Sequence, residues 1–301
     1  FHTMFENVMA KEQPTHVLVA FDAGKTTFRT AMYEDYKGGR SKTPGEFKEQ
    51  MPYIRELINA LGVQYYELDN YEADDIIGTL ANKVDKELFD VVVLSGDRDL
   101  TQLATEHVKV DITVKGVSEI ESYTPAHVAE KYDGLTPLQI IDMKGLAGDA
   151  SDNIPGVTKI GEKTAIKLLK EYGSVEGIYE HIDEMKKSKM KENLINDREI
   201  AFLSKQLATI DVDAPIEVDV DKLKYEGKDL EKLVPFYQEM NFNSFLEKLQ
   251  ITAEPVEMED ILFSVVEEVT EDMFQGDTAL YVEMMGDNYH LEDIVGVAWG
   301  N

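Results

Sequence analysis

The chain has no cysteine, which excludes disulfides and every thiolate metal site. No apolar run approaches the roughly 18 residues that a membrane span needs, and no secretory signal pattern opens the sequence. A cytoplasmic protein is therefore expected. Phe1 stands where an initiator Met would be, so the chain is expected to be a fragment or a processed product. Basic residues are also scarce: 30 Lys and Arg face 59 Asp and Glu, a net charge of −29. Such an excess of acid argues at first against a nucleic-acid partner, because phosphate binding requires Lys and Arg. The distribution softens that objection. Residues 251–301 hold 13 acids and no Lys or Arg, which leaves 46 acids against 30 bases, a net −16, over residues 1–250. Within that part, residues 24–42 carry Lys25, Arg29, Lys37, Arg40 and Lys42 against two acids, and residues 156–170 carry four lysines against Glu162 alone.

What is present first is an alternation of short β-branched runs with helical patterns, the mark of βα units and a parallel sheet. HVLVAF (16–21), VQYYEL (63–68), DVVVLS (90–95) and VKVDI (108–112) read as strands. PYIRELINALG (52–62), the stretch from about 72 to 88 and the short LTQLA read as helices. From Pro125 the pattern turns helical through PAHVAEKY, PLQIIDMKGLAG and GEKTAIKLLKEYG, and residues 226–250 continue it in two pieces. These patterns predict an α/β part over about 1–122 and a mostly helical part over 123–250. ITAEPVEMED (251–260) reads as a linker. ILFSVVEEV and TALYVEMM then read as strands opening a further domain over 261–301, too short for an α/β core of its own.

In a parallel sheet, ligand sites form at the carboxyl ends of the strands. Asp22 follows the first strand, Glu72, Asp74 and Asp75 follow the second, and Asp97 and Asp99 follow the third. Asp149 and Asp152 form another pair in the Gly-rich GLAGDASDNIPG. Each cluster alone fits a plainer reading, as acids that complement a helix dipole or cap a turn. Eight together would repel strongly unless cations sit among them, and an all-oxygen set suits Mg²⁺ or Mn²⁺.

IPGVTKIGEKTAIKLL (154–169) places Gly156 and Gly161 around a tight turn between helices. Such a turn lets backbone N–H groups approach a phosphate, with Lys159, Lys163 and Lys167 adding charge that reads backbone rather than sequence. The alternative is an ordinary helical hairpin with a solvated lysine face. GKTTFRTAMYEDYKGGR interleaves Arg29, Lys37 and Arg40 with Phe28, Tyr33 and Tyr36, which suits a single-stranded end or, for the tyrosines, packing. Its GKTT lacks the spacing of a P-loop.

FDAGKTTFR, YKGGR, YEADD, SGDRDL and GDASDNIPGVTKIGEKTA, in this order, closely resemble the 5′ nuclease domain of bacterial DNA polymerase I over residues 1–250. The resemblance implies a PIN-like parallel twisted sheet with helices on both faces and a helix–hairpin–helix (helix–three-turn–helix) element that grips duplex DNA. It implies two or more Mg²⁺ or Mn²⁺ ions on Asp22, Glu72, Asp74, Asp75, Asp97, Asp99, Asp149 and Asp152. Among these, Asp74, Asp75, Asp97 and Asp99 would form the catalytic core, with Lys37 and Arg40 as catalytic basic residues of a helical arch and Arg29 as a further phosphate contact. It implies DNA contacts from residues 156–167 and a monovalent cation such as K⁺ at the 156–161 hairpin. Residues 261–301 resemble the opening of a proofreading-exonuclease-like domain. They show Val282–Glu283–Met284 where an active form has Asp-x-Glu, as in the degenerate type. Thr30 departs from the family's frequent His. The family's first strand, with its own metal-binding Asp, has no counterpart after Phe1.

The expected activity is metal-dependent hydrolysis of DNA at 5′ flaps, nicks and RNA-primed ends, within a monomeric, nucleoid-associated bacterial polymerase. A second reading is a catalytically incompetent DNA-binding fragment lacking that first Asp, and a third is a related nuclease acting on RNA.

Overall fold

The computed structural model describes residues 1–40, 44–115, 119–249, 279–284 and 294–300. They fall into two units, Phe1–Phe245 and Leu246–Asn301. The first opens with α1 (His2–Glu12), β1 (Leu18–Ala20), α2 (Phe28–Met32), α3 (Gly45–Ala60), β2 (Gln64–Tyr66) and α4 (Ala73–Lys83). There follow β3 (Val91–Ser95), a 3-10 helix (Arg98–Leu103), β4 (Val108–Lys115) and β5 (Glu119–Tyr123). The helical part comprises α5 (Pro125–Lys131), α6 (Gln139–Ala147), α7 (Glu162–Tyr172), α8 (Val175–Glu180), α9 (Lys189–Asn196), α10 (Arg198–Ala208), α11 (Leu230–Glu239) and α12 (Asn243–Lys248).

β1 runs parallel to β2, from Leu18 opposite Gln64 to Ala20 opposite Tyr66. β3 runs parallel to β4, from Val91 opposite Val108 to Ser95 opposite Ile112. The single parallel sheet expected from the strand pattern is, among the described residues, two sheets: β1–β2 and β3–β4–β5. β5 is antiparallel to β4. Only three residues separate the two strands, whereas a parallel return needs a crossover of about a dozen. α3 also begins at Gly45, ahead of the expected start, and runs through Pro52.

Val93, Val110 and Ile112 from β3 and β4 share one buried cluster with Ile140 and Leu146 of α6, Leu168 and Leu169 of α7, and Leu194 and Ala201 beyond them. Burying each such Leu, Ile or Val contributes about 1.5–3 kcal/mol, so the sheet and the helical part are stabilised as one body. A second device joins them. The segment after α10 carries no strand pairing, yet it is held by buried side chains. Gln102 donates to the Ala208 carbonyl at 3.0 Å and accepts from Ile210 N–H at 3.0 Å. The Thr79 hydroxyl donates to the Asp211 carbonyl at 3.1 Å and accepts from Ala214 N–H at 3.0 Å. Gly78 permits the approach, since a Cβ there would lie 2.6 Å from Ile210 Cγ2.

In the second unit, β6 (Ala279–Met284) pairs antiparallel with β7 (Ile294–Gly300), Val282 opposite Val297. β6 matches the strand expected at TALYVEMM. The expected linker at 251–260 and the strand expected over 261–269 lie outside the described residues. No helix among the described residues is long and apolar enough to cross a membrane.

Candidate active site

Four chain segments bring acids to one place. Asp22 lies just past β1, where its Oδ1 accepts the Ala73 N–H at 2.7 Å, so the end of that strand is pinned to the start of α4. α4 begins in a capping box: the Glu72 side chain accepts a backbone N–H from the first turn, and Asp75 Oδ2 accepts Glu72 N–H at 2.9 Å. EADD is thus a helix start, as its composition suggests. It is also more than that. Asp97 caps the 3-10 helix after β3 by accepting Asp99 N–H at 2.9 Å. Burial and the neighbouring Asp97 and Glu72 push the Asp74 carboxyl up to about 7. Burial and Asp97 push Asp99 up to about 6 against the pull of Lys144.

The positive charge among these acids comes from the chain itself. Lys144 of α6 bridges Asp99 and Asp149, and Asp149 also accepts Ser151 N–H at 2.8 Å. Lys37 Nζ lies 2.9 Å from Glu72 Oε2 and 3.8 Å from Asp152 Oδ2, while Arg40 pairs with Asp152. The buried Tyr36 hydroxyl donates toward the same two acids, at 3.3 Å to Glu72 and 3.4 Å to Asp152. Two bare carboxylates 4 Å apart repel by about 4 kcal/mol at an effective dielectric near 20, so these bridges account for the crowding. The backbone fixes the arrangement. Lys37 has φ +56° and donates its N–H to the Asp152 carbonyl at 2.8 Å, joining the basic segment to the GDASDNIPG loop. That loop closes on itself through Asp149 N–H to Ile154 O at 2.9 Å and Ile154 N–H to Asp149 O at 2.8 Å.

Several expectations need correction. The eight-acid constellation is here a set of acids bridged by Lys and Arg, and among the described residues no three Asp, Glu or His side chains are placed to hold one metal ion. Asp75 is fully buried and shares the Arg29 guanidinium with Glu72, whose Oε2 lies 3.7 Å from Arg29 Nη1. All four of its lone-pair positions are taken, by two Arg29 nitrogens at 2.7 and 2.8 Å, by Asp211 N–H at 2.8 Å and by Glu72 N–H. It has nothing left for a cation. Arg29 is 2 % exposed and cannot meet a phosphate from solvent. Tyr36 is likewise buried and unavailable for base stacking. Gly156 does not offer its N–H to a phosphate, because that N–H donates to Ser204 Oγ at 3.0 Å. Its glycine identity has a local cause: φ is +64°, and a Cβ would lie 2.3 Å from the Gly148 nitrogen.

Gly161 caps α7 and is exposed. Lys159, Lys163 and Lys167 are exposed too, and none is in an ion pair among the described residues. The residue that sequence reading missed is Lys144. Its signal was a lysine inside the largely apolar QIIDMKGLA helix, where a mostly buried ammonium requires a partner.

Comparison with known proteins agrees with this architecture. The family "5′-3′ exonuclease, N-terminal resolvase-like domain" matches residues 1–133, and "5′-3′ exonuclease, C-terminal SAM fold" matches residues 135–231. DNA polymerase I of Geobacillus stearothermophilus is 55 % identical over 303 residues, covering 100 % of this chain and 34 % of the relative. DNA polymerase I of Streptococcus pneumoniae is 54 % identical over 299 residues, covering 99 % and 34 %. The chain therefore spans about a third of the length of the curated relatives it matches. Among solved structures, T5 5′-exonuclease with bound zinc is similar at TM-score 0.57 and 24 % identity, covering 80 % of this chain and 88 % of that one. The catalytic core of Rad2 with DNA substrate is similar at TM-score 0.53 and 17 % identity, covering 82 % of each. These two likenesses speak for the fold. The two family matches run almost without a break from residue 1 to residue 231, and the chain belongs to the 5′-3′ exonuclease family.

Proposed function

We propose that the chain is a divalent-metal-dependent, structure-selective 5′ nuclease that hydrolyses phosphodiesters at DNA flaps, nicks and RNA-primed ends, within a monomeric, cytoplasmic DNA polymerase I. The observation that carries this reading is the meeting of seven acids from four separate segments, with Lys37, Arg40 and Lys144 set between them. The donor set fits Mg²⁺ or Mn²⁺, being all hard oxygen, and positive charge already sits between Glu72 and Asp152 and between Asp99 and Asp149. Asp22, Glu72, Asp74, Asp97, Asp99, Asp149 and Asp152 would hold the ions. Held by these acids, a divalent cation would supply Lewis-acid activation of a water and charge stabilisation of the leaving oxygen. Lys37 and Arg40, at the rim of the acids, orient the phosphate, and no protein nucleophile is required. The exposed Lys159, Lys163 and Lys167, with Gly161 at the start of α7, hold duplex backbone, and carbonyls of 156–161 are the place for a monovalent cation. The match to DNA polymerase I extends over 99 % of the chain, which supports reading 261–301 as the opening of a proofreading-exonuclease-like domain.

The test is cleavage of a labelled 5′-flap DNA with and without Mg²⁺. Release near the junction, abolished by chelator, is expected. Binding without cleavage would favour the incompetent DNA-binding fragment, a reading that gains from the absence of any three-acid group among the described residues. Faster cleavage of an RNA flap would favour the RNA nuclease. A second expectation concerns Lys163. Its replacement by Ala removes one phosphate contact, so the logarithmic salt dependence of duplex binding should become shallower by about one unit with the preferred junction unchanged. Unchanged affinity at low salt would mean that the lysine face is only solvated surface.

A further inference from the structure

The second Asp of the EADD stretch and the Arg of FRT form a buried pair beneath the site. Successive residues of an α-helix point roughly 100° apart, so Asp74 and Asp75 face different ways. Asp75 faces inward. Its carboxylate and the Arg29 guanidinium share six hydrogen bonds: two with each other, Arg29 Nε to Leu207 O at 3.1 Å, Arg29 Nη2 to Thr209 O at 2.5 Å, and the Glu72 and Asp211 N–H groups onto Asp75. Each partner reaches a different supplier of site residues. Arg29 lies in α2, which leads into Tyr36, Lys37 and Arg40. Asp75 holds the first turn of α4, where Glu72 and Asp74 project. The last turn of α10 and the segment that follows it are gripped by this pair, and Leu207 and Ala208 in that turn pack against Tyr36 and Ile154, and so against the loop bearing Asp149 and Asp152. Through Gln102 it also meets the 3-10 helix that carries Asp99.

We infer that Arg29 and Asp75 are positioning residues, a single buried clamp that sets the spacing of Glu72 and Asp74 from Lys37, Arg40 and Asp152, and that Asp75 is not a metal ligand. The inference rests on the nuclease reading for its effect on rate, but not for its effect on geometry. A bidentate fork matched to a carboxylate is specific to Arg, and Lys cannot reproduce it. The two residues should therefore behave as one unit, each single change costing what the double change costs.

The experiment uses the 301-residue chain as Asp75→Asn, Arg29→Lys, the double variant and Asp74→Asn. Two readouts are followed: Mn²⁺ affinity by electron spin resonance without substrate, and flap-cleavage kcat and KM in saturating Mg²⁺. Asp75→Asn, Arg29→Lys and the double variant should weaken Mn²⁺ alike, by about threefold to tenfold. They should lower kcat at least about tenfold with KM within about twofold, and extra Mg²⁺ should not rescue them. Should these variants fail to fold, the apolar pair Arg29→Met with Asp75→Leu removes both charges together and is tolerated better than a lone buried charge. The same losses are then expected in a chain of near-normal melting temperature. The inference is overturned if Asp75→Asn loses Mn²⁺ as Asp74→Asn does while Arg29→Lys binds normally, which would make Asp75 a ligand. It is equally overturned if every clamp variant retains both full Mn²⁺ affinity and full kcat. A wild-type chain that binds Mn²⁺ but cleaves nothing would count against the nuclease reading, and the Mn²⁺ titrations would still decide the clamp.

Discussion

Replacing Asp97 and Asp99 together by Asn is expected to lower flap cleavage by at least about a thousandfold, roughly 4 kcal/mol of transition-state stabilisation. It is also expected to remove most of the rise in melting temperature that Mg²⁺ or Mn²⁺ gives the unaltered chain. Asp97 is the acid common to the whole site. Its charge acts on Asp74, on Asp99 and on Arg40, while Asp99 meets Asp149 through Lys144. Neutralising both removes the negative charge that would draw a cation to the middle of the cluster. The fold should survive, since Asn at position 97 can still cap the 3-10 helix by accepting the N–H of residue 99. In chelator the variant should melt slightly higher than the parent, because two mutually repelling carboxylates are gone. Calorimetry with and without Mg²⁺, alongside single-turnover cleavage, checks all three points. Cleavage within tenfold of the parent would place the chemistry elsewhere, and an unchanged Mg²⁺ shift would place the metal elsewhere.

Much of this site is legible in the sequence because the relevant physics is local. Strand ends and helix starts show up as short patterns, so Asp22, Glu72, Asp74, Asp75, Asp97 and Asp99 read as acids of one sheet edge from spacing, whereas Asp149 and Asp152 read only as a pair in a Gly-rich bend and join the others through the family resemblance. The rest depends on partners distant in the chain. Asp75 reads like Asp74 until Arg29, 46 residues earlier, and Asp211, 136 residues later, are brought to it. Lys144 sits five residues before Asp149 and 45 after Asp99, so its bridge emerges only once α6 packs beside the 3-10 helix. The segment after α10 has no periodicity to betray it, because Gln102, Thr79 and Arg29 hold it from other elements. β5 was missed for a simpler reason: EIESY is short, with two glutamates among its five residues, and its identity as a strand comes from pairing with β4. α1 belongs to the same class, being fixed from outside by the ion pair of Glu12 with Lys109 at 3.1 Å and of Lys11 with Asp111 at 3.4 Å.

Magnesium affinity should rise about thirtyfold between pH 5.5 and pH 8, a steeper dependence than ordinary carboxylates would give. Burial and the charges of Asp97 and Glu72 hold Asp74 at about 7, and burial holds Asp99 at about 6, so both keep protons where free carboxyls have lost them. A ligand must shed its proton to bind a cation, and the fraction of Asp74 ready to do so grows about thirtyfold over that range. The sign reverses for stability in chelator. Both folded values lie above the ordinary 3.8, so the folded chain binds more protons than the unfolded one between about pH 4 and pH 7. Stability must then fall as pH rises through that window, since it rises only where the unfolded state holds more protons. The melting temperature in chelator should accordingly drop from pH 5 to pH 8, and millimolar Mg²⁺ should restore more of it at pH 8 than at pH 6. Asp74→Asn should flatten the drop in chelator and abolish most of the Mg²⁺ recovery. Isothermal titration at four pH values and thermal melts on the same samples measure both limbs. A Mg²⁺ affinity that does not change between pH 5.5 and pH 8 would mean that Asp74 is ionised throughout, and that positive charge from the chain already satisfies the cluster it sits in.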